Sequence, residues 1–164
     1  MDAAATRQLA GFIGKYSPEI GALARKILTT MRARLPGALE LVYDNYNGLA
    51  VVFGPSERVS DAIFSVVLYP RWVSLFFTQG ARLPDPERCL RGSGKAIRHI
   101  VLEDPALLDT PAVRALMARA VELGKPFDTT GRRRVVIKSV SARQRPRRPG
   151  TPAKPRRSPT RRAR

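Results

Sequence analysis

No aspartate or glutamate follows Asp128. All thirteen acidic residues lie at or before that position, beside sixteen Lys and Arg, whereas the 36 residues from Thr129 onward hold fourteen cations. The formal charge of +17 therefore divides into about +3 and about +14. A high isoelectric point here does not describe a basic domain. It describes a nearly balanced body followed by a cationic segment. Cysteine and histidine are almost missing too. With one of each, Cys89 and His99, no internal disulfide can form and no metal-ligand spacing exists. A lone thiol fits a reducing compartment. There is no run of about 18 apolar residues, which excludes a membrane-spanning helix. The start, Met1-Asp2-Ala3-Ala4-Ala5-Thr6-Arg7, lacks the basic-then-apolar order of a secretory leader. The expectation is a cytoplasmic protein with no membrane partner.

Hydrophobic periodicity supplies the elements. Ala5, Leu9, Phe12 and Ile13 mark one side of a short helix over Ala3 to Phe12. Ser17-Pro18 has the form of an N-cap followed by first-turn proline. Ile20, Leu23, Ala24, Ile27, Leu28, Met31 and Leu35 then recur every three or four residues, and Pro36-Gly37 ends that helix. The period next changes to two: Leu39, Leu41 and Tyr43 alternate with Glu40, Val42 and Asp44. Asn47-Gly48 tolerates positive φ at both residues and predicts a hairpin returning through Leu49 to Phe53. Further strands are predicted over Ala62 to Tyr69, Trp72 to Thr78 and Ala96 to Leu102, with a loop from Gly80 to Gly94. Thr110-Pro111 opens a last helix that Gly124 closes. Arg134 to Val140 has the pattern of a late edge strand, with Val135 and Ile137 toward the body and Arg134 and Lys138 as charged guards.

Segregated helices and short hairpins predict an α+β fold. Two N-terminal helices and one C-terminal helix cover one face of an antiparallel meander of five to six strands. The body occupies residues 1–140. Residues 141–164 hold ten cations among Pro, Ser, Thr and Gly and lack any large aliphatic residue. Such a composition predicts a disordered basic tail.

Four segments of the body carry a resemblance. Tyr43-Asp44-Asn45-Tyr46, Phe64 to Tyr69, Tyr69-Pro70-Arg71-Trp72-Val73-Ser74-Leu75 and Gly92-Ser93-Gly94-Lys95-Ala96-Ile97-Arg98-His99-Ile100 resemble the YdhG-like domain-of-unknown-function family over roughly Ala5 to Gly124. The resemblance implies a compact α+β fold with an antiparallel sheet. One branch of that family is described as a frataxin-like intracellular iron chaperone, which implies iron handling at most. Hard iron calls for clustered carboxylates. The first helix here carries only Asp2 and the long helix only Glu19, so the acidic ridge of a frataxin-like surface is missing.

The sequence assembles no catalytic constellation, and the expectation is a non-enzymatic protein with no cofactor and no bound metal. Gly92-Ser93-Gly94-Lys95 fails as a phosphate loop: Cys89 stands where the first glycine is needed, and Ala96 where Ser or Thr is needed. Cys89 lacks an orienting partner and reads as a structural thiol. His99 shares a strand face with Ile97 and Val101 and reads as half-buried. Tyr43, Asp44, Tyr46, Arg71, Trp72, Lys95, Arg98 and His99 form a candidate pocket for an unknown small ligand between the meander and the Gly80 to Gly94 loop. Arg143, Arg145, Arg147, Arg148, Lys154, Arg156, Arg157, Arg161, Arg162 and Arg164 form a candidate surface for nucleic acid or another polyanion. Two readings compete. One is a YdhG-like small-ligand or metal-handling carrier. The other is a nucleic-acid-associated protein that grips the phosphate backbone through its basic tail.

Overall fold

The computed structural model describes residues 3–150. Helices α1 (Ala3–Gly14) and α2 (Pro18–Arg34) precede strands β1 (Leu39–Asp44), β2 (Leu49–Gly54), β3 (Phe64–Leu68), β4 (Val73–Phe77) and β5 (Arg98–Val101). Helix α3 (Pro111–Leu123) and strand β6 (Arg134–Val140) complete the order. The fold is α+β, as its sequence predicts. Local chemistry sets the boundaries. The Ser17 hydroxyl accepts from the Ile20 amide at 3.3 Å, and Thr110 caps α3 through the Val113 amide at 3.4 Å. Both helices carry proline in the first turn, where no amide donor is needed.

The six strands lie in the order β5-β4-β3-β2-β1-β6. The first four pairings are antiparallel, but β6 runs parallel to β1, so the sheet is mixed rather than a pure meander. The reason lies in the connection. A tight hairpin forces antiparallel pairing, whereas the crossing from β5 to β6 contains α3 and can deliver a parallel strand. Position on the edge is as expected: Val135 is buried, Ile137 packs on the core, and Arg134 and Lys138 pair with Glu57.

All three helices share one core with one face of the sheet. Phe12, Ile27, Met31 and Leu116 meet Val42, Val51, Phe64, Val66, Leu75 and Phe77 there. The β1 residues on this side are Glu40, Val42 and Asp44, so two carboxylates face the helix layer. Each is neutralised. Arg32 donates to Glu40 from Nε at 3.1 Å and from Nη2 at 2.8 Å, and Arg133 donates from the other side. Gly37 allows the chain to turn from α2 into β1. Its φ is +81°, and a Cβ there would lie 1.9 Å from the Asp128 carbonyl oxygen.

Order continues beyond β6, and this corrects the expected boundary after residue 140. The Ser141 amide donates to the Asp44 carbonyl at 2.8 Å, and the Arg145 amide to that of Tyr46 at 2.9 Å. Residues 141–150 thus run as a strap along the tip of the β1–β2 hairpin. The expected disorder of residues 151–164 concerns a segment outside the described residues.

Candidate nucleic-acid interface

One side chain of the strap, that of Arg147, is buried. Arg147 is 6% exposed and Asp44 1% exposed. The Arg147 Nη2 donates to Asp44 Oδ1 at 2.7 Å and to the Asn45 carbonyl, and Nη1 reaches the Tyr46 carbonyl at 3.4 Å. Lys15 Nζ donates to the second Asp44 oxygen at 3.3 Å. The guanidinium also lies 5.7 Å from the centre of the Tyr16 ring. Burial pushes the Tyr16 phenol up to about 12, although the Arg147 charge and the Leu49 amide act the other way. The Tyr16 hydroxyl donates to the Leu68 carbonyl at 3.1 Å.

This corrects the reading of Arg147 as a polyanion contact: its charge is spent on a buried carboxylate. Its neighbours are free of that duty. Arg143, Arg145 and Arg148 are exposed. Arg145 and Arg148 line a cleft of about 660 Å³ between the strap and the β3–β4 turn. Arg71, Trp72 and Tyr69 form the facing wall, and among the described residues no Asp or Glu lines the cleft. Trp72 packs on Tyr69 with ring centres 4.9 Å apart and planes tilted by 30°. Burial raises the Tyr69 pKa above its usual value. Trp72 nevertheless stays 44% exposed. On the adjacent hairpin Tyr46 is 47% exposed, with the Arg145 guanidinium 5.5 Å from its ring centre.

The topology explains this gathering. Strands β1 and β6 end, and β2 and β4 begin, at the same end of the sheet, so the 45–48 turn, the 69–72 turn and the strap converge there. The pocket expected from the sequence is consequently divided. Tyr46, Arg71 and Trp72 lie at this end. Asp44 lies beneath it, under Arg147. Tyr43 stands in β1 opposite Ala50 and Ser139, its side chain half-buried. Lys95 and Arg98 belong to the opposite end, since Arg98 pairs with Phe77 where β4 finishes. His99 is half-buried and packs on Phe76 with ring centres 5.2 Å apart.

The glycine segment before β5 offers no phosphate cradle. The Arg98 Nη1 donates to the carbonyls of Gly94 and Ile97, at 2.6 and 2.8 Å, and folds the turn around itself. Cys89 is not an activated thiol. Burial raises its pKa, and Asp85 and Glu87 raise it further. The Gly80 to Gly94 loop forms clefts chiefly with α3. Glu87 and Cys89 face Thr110 to Val113 across a space of about 500 Å³. Among the described residues no group of three or more His, Cys, Asp or Glu comes together as a metal site, and no helix is long and apolar enough to cross a membrane. Lys154, Arg156, Arg157, Arg161, Arg162 and Arg164 lie outside the described residues.

Sequence reasoning missed the strap itself. A signal was present: Asp44 and Glu40 share the strand parity of Val42, which requires cations from elsewhere in the chain. The chain matches no family model, no curated protein and no solved structure.

Proposed function

We propose that this protein is a non-enzymatic nucleic-acid-binding protein of the cytoplasm, gripping phosphates with the strap end of the domain and the basic segment that continues from it. The observation that carries this reading is the carboxylate-free cleft walled by Arg71, Arg145 and Arg148. The chain leaves the described region at Gly150, on the wall of that cleft, and six further cations come after it in sequence with no acid among them. In this reading body and tail engage one polyanion together rather than as a passenger with a separate appendage. Among the described residues no helix lines the cleft, so recognition there is largely sequence-blind. The metal-handling form of the carrier reading has less support, because it needs a ligand set that the described residues do not assemble.

Titration of a labelled oligonucleotide against the full chain at several salt concentrations tests the proposal. Engagement of about six phosphates on duplex gives a log–log salt slope near −5. Replacing Arg71, Arg145 and Arg148 together with Ala should weaken binding and flatten the slope by about 2 to 3. Absence of binding at low salt, or binding indifferent to salt, would overturn it.

A further inference from the structure

Phosphate contacts alone leave the aromatic wall of the cleft without a role. Of the exposed large hydrophobic side chains, the two aromatics, Tyr46 and Trp72, both sit at the strap end of the sheet. They occupy the tips of neighbouring hairpins, each closed by a backbone hydrogen bond: Asn45 to Gly48 at 3.0 Å and Tyr69 to Trp72 at 2.9 Å. Trp72 is backed by Tyr69, and Arg71 lines the same wall. Tyr46 carries the Arg145 guanidinium over its ring. The cleft volume falls within the roughly 300–1,000 Å³ of typical small-ligand sites. Pro70, Pro146 and Pro149 on its walls restrict the backbone.

A flat, exposed aromatic in a cleft lined by guanidinium groups suits a nucleobase whose face is free and whose phosphates lie alongside. In a duplex those faces are covered by neighbouring base pairs. Bases of a single strand are open to stack, and every base has a π-face, so stacking adds affinity without reading sequence.

Resting on the nucleic-acid reading above, we infer that the strap-end cleft is a stacking site for single-stranded nucleic acid. Trp72 is the platform, and Arg71, Arg145 and Arg148 hold the adjoining phosphates. Tyr46 with Arg145 offers a second platform one hairpin away.

Trp72 is the single tryptophan of the chain, so its fluorescence reports on this site directly. The full chain is titrated with oligothymidylate of about 15 nucleotides, a length that covers one typical single-strand site. A duplex of equal length serves as the control, and affinity is read by anisotropy of labelled strands. The single strand should quench Trp72 emission and bind more tightly. Duplex should bind through its backbone without comparable quenching. Trp72→Ala should weaken single-strand binding by about 5- to 150-fold and leave duplex affinity nearly unchanged. Trp72→Phe should recover part of the loss, and circular dichroism verifies that both variants fold. Equal affinity for the two forms without quenching refutes the stacking site while leaving backbone binding intact. No binding of either form removes both proposals. Quenching by thymidine monophosphate as strong as by the oligonucleotide refutes the strand and points to a free nucleotide instead.

Discussion

Arg147 and Asp44, 103 residues apart in the chain, form an ion pair 2.7 Å long that solvent scarcely reaches. The pair fastens the strap over the β1–β2 hairpin, and the strap brings Arg145 and Arg148 to the cleft. A contact buried for structural reasons thereby sets the geometry of exposed residues on either side of it.

Removing one member strands the other in a low-dielectric site. Asp44→Ala or Arg147→Ala is expected to lower stability by about 3–5 kcal/mol, as measured by urea unfolding. Arg147→Met combined with Asp44→Leu should be milder than either single change, because no lone charge remains. Single variants within about 1 kcal/mol of the parent, the range of a surface pair, would show the pair to be solvated.

Two truncations separate the strap from the basic residues beyond it. A chain ending at Gly150 should melt at the parent temperature but bind single strands with a salt slope shallower by about 2, with about three of the six missing cations contacting phosphate. A chain ending at Val140 also loses Arg147 and should melt well below the parent. Equal melting temperatures for the two shortened chains would show that the strap adds nothing to the fold.

That contrast shows what was legible in the sequence. Ser17-Pro18, Asn47-Gly48 and Thr110-Pro111 act within a few residues of themselves, so their effects are local and readable. Val135 and Ile137 marked an edge strand by alternation. The parallel direction of β6 depended on the route of a long connection, which no local pattern encodes. Arg147 looked like nine other cations in its segment. Only its pairing across the fold distinguishes it, and composition averages that distinction away. Half of the candidate site was legible for the same reason. Arg71 and Trp72 are hairpin neighbours, whereas Lys95 and Arg98 differ from them by the length of a strand.

Gly37 gives a test of the α2–β1 turn. Gly37→Ala places a methyl group against the Asp128 carbonyl at a left-handed φ. The expected loss is about 1–3 kcal/mol or more in thermal unfolding. Gly94→Ala, where nothing lies within 4 Å of the added carbon, is the matched control and should change stability little.

Tyr16 predicts an alkaline limit. Its pKa is raised from 10.0 in the free side chain to about 12 in the fold. The unfolded chain therefore releases this proton first. The associated stability is whole below about pH 10 and declines as pH rises towards about 12. Melting temperatures measured across that window should fall for the parent and fall less for Tyr16→Phe. Identical declines would assign the loss to other groups, Tyr69 among them.

The sixth strand and the strap are the last described parts of the chain to leave the ribosome, yet β6 pairs with β1, made almost a hundred residues earlier. Until Arg147 emerges, the Asp44 carboxylate waits with Lys15 as its one side-chain cation, and the cleft lacks a wall. The cleft therefore takes shape only after residues 141–150 have been made and have docked on the hairpin.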